Sequence, residues 1–203
     1  MDRKVLSPDT RIEGTRDRVV DFWRWAYSDI AQNITRGPFA EYLVAKALGL
    51  DTESEPRDPW AEADLVLTLP GKRYRIEVKS TASFQAWKAR RGRKRRRATG
   101  FAVKFAKVAY TLDGGARKAR RSHVYVLAFD NVEDEEDLRN LDATRWDFWV
   151  LSRRELTSLL GAPIGELVGR SKSISFKRLE EAGFHSVKIQ DLGTAILAKC
   201  PSR

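Results

Sequence analysis

The chain has 203 residues, 42% of them hydrophobic, which is enough for one sizeable core and hardly enough for two domains. A single cysteine, Cys200, excludes an intrachain disulfide and a cysteine-based zinc site, and two histidines argue against a histidine-ligated metal. The formal net charge of +10 favours a polyanionic partner, because Lys and Arg release counterions when they bind phosphates. Without a signal-peptide pattern or an apolar run of membrane-spanning length, the sequence predicts a cytoplasmic protein with no membrane partner.

Two helices are predicted in the first fifty residues, after a polar and irregular stretch over 1–16. The first helix spans 17–30 and is rich in Trp and other apolar residues, so we expect it to be buried in the core, with a docking face as the alternative. The second helix spans 38–48, with a proline in its first turn and Gly49 at its end. Its Glu41 either complements the helix dipole or has a chemical role.

A β-hairpin is predicted from two alternating segments, 63–69 and 73–80, which are joined by a Pro-Gly turn. If the hairpin is centred on that turn, Asp64 lies opposite Glu77, and directly opposed residues have Cβ atoms about 4.5–5.5 Å apart. Two carboxylates this close repel each other unless a cation lies between them, and a divalent metal such as Mg²⁺ binds oxygen ligands of this kind. Lys79 follows Glu77 on the same face of the strand.

A dense basic run follows the hairpin, and a second basic cluster comes after the next predicted strand. Blocks of like charge are often solvated loops, but this run leaves the hairpin by only a few residues, so we expect it to contact backbone phosphates without reading sequence. The predicted nucleic-acid-binding residues are Lys88, Arg90, Arg91, Arg93, Lys94, Arg95, Arg96, Arg97, Arg117, Lys118, Arg120 and Arg121.

The rest of the chain is predicted to alternate between strands and helices, which fits one mixed sheet flanked by helices. The segment 123–129 is almost continuously apolar, as expected for a buried central strand, and 146–151 is another strand. A capping box over 152–155 opens a helix that runs to Leu160. Weaker signals indicate a strand within 101–110, a sheet-edge strand over 171–176 and a helix over 176–182.

The combination of Asp64, a short hairpin and Glu77-Val78-Lys79-Ser80 resembles the PD-(D/E)XK nuclease superfamily, which has the restriction-endonuclease-like fold. The resemblance covers roughly residues 36 to 151, and Ala63 stands where the superfamily usually has a proline. It implies an α/β fold with a mixed central β-sheet flanked by helices, an αβββαβ-type core. We expect one nuclease-like domain over 1–203, with a helical extension over 1–35, a catalytic core over 36–160 and a C-terminal extension over 161–203.

The resemblance implies an Mg²⁺-dependent DNA endonuclease that hydrolyses phosphodiester bonds, with Mn²⁺ as a substitute cofactor. Many members place an acid from the first core helix beside the metal, and many carry a glutamine shortly after the lysine. The lysine positions or deprotonates the attacking water, or stabilises the developing charge. The implied catalytic residues are Glu41, Asp64, Glu77, Lys79 and Gln85, and the implied metal ligands are Asp64, Glu77, the backbone carbonyl of Val78, and Glu41, with Glu62 as the alternative to these.

Double-stranded DNA is the expected partner, and cutting both strands of a duplex favours a homodimer. Two other interpretations stay open. The chain is a basic module that uses the same fold to bind nucleic acid without cutting it, or it is an interaction protein in which the Glu-x-Lys pattern arises by chance. Metal-dependent loss of substrate separates the nuclease from both.

Overall fold

The computed structural model describes residues 5–54, 56–59, 61–83, 98–104, 108–110, 116–118, 122–132, 141–162 and 171–200. Its helices are α1 (Val19–Tyr27), α2 (Asn33–Ala47), α3 (Arg153–Leu160), α4 (Phe176–Glu181) and α5 (Ile189–Ala198), with a 3₁₀ turn at Ala143–Arg145. Its strands are β1 (Leu65–Leu69), β2 (Lys72–Ala82), β3 (Gly100–Lys104), β4 (Val108–Tyr110), β5 (Ala116–Lys118), β6 (Val124–Asp130), β7 (Trp146–Ser152) and β8 (Ser171–Ser175).

A four-stranded mixed sheet, in the order β1-β2-β6-β7, forms the centre of the fold. Strand β2 runs antiparallel to β1 and parallel to β6, and β7 runs antiparallel to β6. All seven residues of β6 are buried, as its apolar sequence predicts for a strand covered on both faces. Helices flank this sheet, so the predicted α/β class with a mixed sheet is confirmed. Strands β3 and β8 form a separate antiparallel pair, as do β4 and β5.

Each face of the central sheet carries its own hydrophobic cluster. On one face, Ile76 and Val78 of β2 pack with apolar residues of α2 and α5. On the other face, Tyr125 and Leu127 of β6 pack with apolar residues of α3, α4, β3 and β8. Because successive side chains of a strand point to opposite faces, burial of Ile76 and Val78 directs Glu77 and the residue two positions after it to the second face.

Helix α1 is shorter and more exposed than predicted, so the expectation that it is buried in the core is wrong. Val19 is its one buried residue, whereas 86% of Trp25 is exposed and Phe22 and Tyr27 are also exposed. Apolar composition indicates that a helix has a face to cover, but it carries no information on whether the same chain covers that face.

Helix α2 starts at Asn33, more than a turn before the predicted start at Pro38. A proline inside a helix removes one N–H donor, which leaves the carbonyl four residues earlier without its helical partner. That carbonyl belongs to Ile34. Because this residue is 77% exposed, a water molecule can donate the missing hydrogen bond. The predicted end of the helix is confirmed, because Gly49 follows it with a φ of 64°.

The C-terminal elements complete both faces. The predicted capping box is present at the start of α3, where the Ser152 N–H donates to the Glu155 carboxylate at 2.7 Å. The predicted strand and helix after residue 170 are confirmed as β8 and α4, although β8 pairs with β3 and not with the central sheet. Helix α5, which the sequence did not predict, packs against α2 through Gly193. Among the described residues, no helix combines the length and apolar character that crossing a bilayer requires.

Candidate active site

The hairpin of β1 and β2 has the predicted register, with Leu65 opposite Ile76. Asp64 directly precedes β1. Beyond the last pair of the two strands, its side chain replaces the backbone as the hydrogen-bond partner of β2, because the Val78 N–H donates to Asp64 Oδ2 at 2.8 Å. In a strand, the N–H and the C=O of one residue point to the same edge, and neighbouring residues alternate between edges. The Val78 carbonyl is therefore directed to the same edge as the Asp64 carboxylate.

Glu77 and Lys79 lie side by side on the second face of the sheet. The Lys79 ammonium forms a short ion pair with Glu77 Oε1. The other oxygen of Glu77 accepts a hydrogen bond from the hydroxyl of the buried Ser122 at 3.4 Å. Both side chains keep about a quarter of their surface exposed, 24% for Glu77 and 26% for Lys79, so solutes can still reach them.

The pKa values of Asp64 and Lys79 both depart from their ordinary values. Burial raises the pKa of Asp64 to about 7, and the charge of Glu77 adds to this rise while that of Lys79 opposes it. Burial by itself lowers the pKa of Lys79, but the charges of Glu77 and Asp64 outweigh it, so this pKa lies above its ordinary value. At neutral pH Lys79 is therefore an ammonium cation, and Asp64 is divided between its neutral and its charged form.

Glu41 of α2 reaches the same region and is held by Arg57. The guanidinium donates from Nε to Glu41 Oε2 at 2.5 Å and from an Nη to Oε1 at 2.7 Å. The Glu41 side chain is 9% exposed and that of Arg57 is 42% exposed. Donating hydrogen bonds to Glu41 raises the pKa of Arg57, and the charge of Asp64 contributes to the same rise. Glu41, Arg57 and Asp64 line one cavity of about 430 Å³.

Arg57 is a site residue that the sequence did not reveal. It lies in the loop between α2 and β1, and Glu41, its partner, is 16 positions away in the chain. The one available signal was an isolated basic residue within an acidic loop. The alternative ligand Glu62 lines neither this cavity nor the one beside Lys79.

A second cavity, of about 440 Å³, adjoins Lys79 on β2. Arg36 of α2 lines it and is 3% exposed, so that α2 contributes a charged residue to each of the two cavities. Arg36 could not be identified from the sequence, because a lone arginine in a polar segment carries no signal of burial.

The remaining predicted site residues fall largely outside the described part of the chain. Gln85 and the whole basic run from Lys88 to Arg97 lie there, as do Arg120 and Arg121. The backbone of Arg117 and Lys118 belongs to β5, paired with β4. The roles assigned to these residues therefore stay predictions.

The residues around Asp64 fit a hard divalent cation. Asp64 and Glu77 are close enough for one charge to raise the pKa of the other, a repulsion that a cation between them would relieve. With the Val78 carbonyl they offer only oxygen donors, which suits Mg²⁺ or Mn²⁺ better than softer metals. Within the described ranges, no three His, Cys, Asp or Glu side chains gather into one metal cage. The ion pairs of Glu41 with Arg57 and of Glu77 with Lys79 hold those carboxylates to cations of the chain.

Asp64 and Glu77 thus interact electrostatically, Lys79 contacts Glu77, and Glu41 lines the same cavity as Asp64. Comparison with protein-family models, with curated proteins and with solved structures gives no match for the chain.

Proposed function

We propose that this protein is a metal-dependent nuclease that hydrolyses phosphodiester bonds, with double-stranded DNA as its substrate and a restriction-endonuclease-like core. The observation that carries the proposal is the raised pKa of Asp64, to which the charge of Glu77 contributes, next to the ion pair of Glu77 with Lys79. Strongly perturbed ionisable groups in a cleft are typical of functional sites. The net charge of +10 supports a polyanionic substrate.

In this proposal Asp64, Glu77 and the Val78 carbonyl would hold Mg²⁺, or Mn²⁺ in its place. The bound ion would polarise the scissile phosphate and make a water molecule more acidic. Ser122 fixes the orientation of the Glu77 carboxylate. Glu41, which accepts two hydrogen bonds from Arg57, would complete the acidic side of the site.

Lys79 has the role of a cation in this proposal. Because its pKa is raised, it carries a proton at neutral pH and is a poor general base. Its ammonium group is instead suited to stabilise the negative charge that develops on phosphate oxygens in the transition state. The sequence left both roles open, and the pKa favours charge stabilisation.

A second candidate function is a module that binds nucleic acid without cutting it. The two ion pairs favour it, because Glu41 and Glu77 are already neutralised by Arg57 and Lys79. A binding surface needs no pair of interacting carboxylates, however, and acidic groups weaken binding to phosphate. The Asp64–Glu77 pair therefore favours the nuclease.

A cleavage assay tests the proposal. Wild-type protein would be incubated with plasmid, linear duplex, single-stranded DNA and RNA, in Mg²⁺, Mn²⁺ or EDTA. The Asp64→Asn, Glu77→Gln and Lys79→Ala proteins would be compared with Lys177→Ala, a control at a lysine that is 81% exposed on α4.

We expect metal-dependent cutting of duplex DNA by the wild type and by the control, and none by the three site variants. Retained cutting by both Asp64→Asn and Glu77→Gln would contradict the proposal. Retardation of DNA in a gel with no cutting in either metal would favour the binding module.

A further inference from the structure

The cavity beside Lys79 adjoins the part of β2 that lies beyond its pairing with β1. Strand β1 pairs with β2 only as far as Ile76, and the next position on that edge is taken by the bond from the Val78 N–H to Asp64. The cavity of about 440 Å³ is lined by Val78, Lys79 and Ser80 of β2. It therefore shares Val78 and Lys79 with the proposed catalytic site.

Arg36 brings a buried and incompletely bonded guanidinium to this cavity. One Nη donates to the Ala31 carbonyl at 3.2 Å and the other bonds to the Asn33 side chain, but Nε is buried without a hydrogen-bond partner. The charge of Asp130 acts on Arg36, but within the described part of the chain no carboxylate forms an ion pair with it. The buried Asp130 compensates part of this charge without forming an ion pair, and an anion within hydrogen-bond reach of the guanidinium would compensate it further.

Other donors converge on the same space. The Val78 N–H points to the edge of β2 that faces Asp64 and β1. The N–H of Ser80, two residues further along β2, therefore points to the same edge. The Ser80 and Lys79 side chains also line the cavity. Asn33, the first residue of the 15-residue helix α2, is at the cavity too, so the positive end of the helix dipole lies there.

We propose that this cavity binds a phosphodiester group of the nucleic-acid strand and that Arg36 is its main ligand. This group would be the neighbour, along the same strand, of the phosphodiester group whose charge Lys79 stabilises. The inference rests on the proposed nuclease function, because it assigns the neighbouring group to the same strand. A phosphate fits since its several oxygens can accept from the guanidinium, the Ser80 N–H and the Ser80 hydroxyl together.

The first experiment observes Arg36 directly in the full chain labelled with ¹⁵N, in EDTA so that nothing is cut. The Nε–H resonance of Arg36, assigned by triple-resonance spectra, would be followed during titration with thymidylyl-thymidine, which carries one phosphodiester, and separately with inorganic phosphate. We expect a saturable shift with the dinucleotide. A shift with inorganic phosphate alone, or none with either probe, would overturn the assignment.

The second experiment measures duplex DNA affinity in EDTA as a function of salt. Arg36→Gln removes the guanidinium, and Ser80→Asp places a carboxylate at the cavity without touching a buried group. Arg73→Gln is the matched control, because Arg73 is an exposed arginine on β2 that lines neither cavity. We expect about tenfold to hundredfold weaker binding in the two cavity variants, and a slope of log affinity against log salt that is smaller by about 0.9.

The outcomes separate this inference from the nuclease proposal. If Arg36→Gln does not fold, Ser80→Asp decides alone. Wild-type affinity and salt slope in whichever of the two folds would overturn the phosphate site, while metal-dependent cutting would still support the nuclease. Loss of affinity in the cavity variants, in a wild-type protein that never cuts, would support the phosphate site and contradict the nuclease.

Discussion

Arg57 holds both carboxylate oxygens of Glu41, with donor–acceptor distances of 2.5 and 2.7 Å. This bidentate pair brings an acid of α2 beside Asp64 and fixes the loop before β1 against the helix. Because Glu41 is buried and Arg57 is partly exposed, the pair is asymmetric, and removing the arginine leaves a carboxylate out of water without its partner.

Replacing Arg57 is therefore expected to destabilise the fold. We expect Arg57→Gln to lower the free energy of unfolding by about 1–2 kcal/mol, a range discounted because the arginine is partly exposed. Urea denaturation at pH 7 measures this, with the exposed Arg24→Gln as control. The double variant Glu41→Gln/Arg57→Gln should recover part of the loss. Equal stability of Arg57→Gln and the control would show that the pair contributes nothing.

The pKa of Asp64 predicts how stability depends on pH. In the folded chain this pKa is about 7, above the ordinary value of 3.8, so the folded state holds a proton that the unfolded state has lost between these two values. Stability of the metal-free protein should therefore be highest below pH 4 as far as Asp64 is concerned, and should fall as pH rises toward 7. At pH 8, Asp64→Asn should be more stable than the wild type by about 1–2 kcal/mol.

Denaturation curves at pH 5 and pH 8 in EDTA test this difference. Saturating Mg²⁺ should narrow it at pH 8, because a bound cation stabilises the charged Asp64 that the variant lacks. A wild-type protein as stable as Asp64→Asn at pH 8 in EDTA would show that Asp64 does not carry the raised pKa.

Metal affinity should separate the acids from the lysine. We expect Asp64→Asn and Glu77→Gln each to weaken Mn²⁺ binding by about tenfold or more, since each removes a charged oxygen donor. Lys79→Ala should bind Mn²⁺ at least as well as the wild type, because it removes the ammonium that competes for Glu77, although it should not cut DNA. Titration followed by electron paramagnetic resonance gives these affinities.

Asp147→Asn serves as the control for the metal titration, because Asp147 forms its ion pair with Lys188. Wild-type Mn²⁺ affinity in both acid variants would contradict the assignment of the ligands. Strong loss of Mn²⁺ affinity in Lys79→Ala would indicate that the lysine organises the site in a different way.

Gly193, at the contact of α5 with α2, and Gly37, on an open part of α2, should respond to alanine in opposite directions. A Cβ at Gly193 would lie 2.3 Å from the Ala47 carbonyl oxygen, whereas a Cβ at Gly37 has no neighbour within 4 Å. We expect Gly193→Ala to destabilise the protein by about 1–3 kcal/mol and Gly37→Ala, inside α2, to stabilise it by about 0.5–1 kcal/mol. Thermal denaturation of both variants measures the contrast. Equal melting temperatures would mean that the two helices shift apart at little cost.

The hairpin at the centre of the site could be predicted from the sequence, because side-chain alternation and a Pro-Gly turn leave one register in which the apolar residues share a face. The sequence could therefore predict that Asp64 and Glu77 lie near each other in the hairpin. The contacts of Arg57 and Arg36 could not be predicted in this way. Their partners come from other elements, and nothing local distinguishes a buried arginine from a solvated one.

The dependence of burial on other elements also explains why α1 was wrongly predicted to be buried. The apolar residues of α1 indicate a face that another segment could bury. The sequence of α1 does not show whether any other segment packs against that face. In contrast, β6 was recognisable because burial on both faces leaves a continuous apolar run. Burial could be predicted where the sequence of a single segment indicates it, as in β6. It could not be predicted where it depends on contacts with distant segments, as in α1.

The parallel pairing of β2 with β6 has a consequence for how the protein folds. The hairpin of β1 and β2 is local and can form early, but Glu77 and Ser122, which meet across the β2–β6 junction, are 45 positions apart in the chain. Closing such a long loop is slow relative to forming a hairpin. The acidic pair and the lysine would thus be assembled in two stages, and refolding experiments should recover hairpin structure before they recover a functional site.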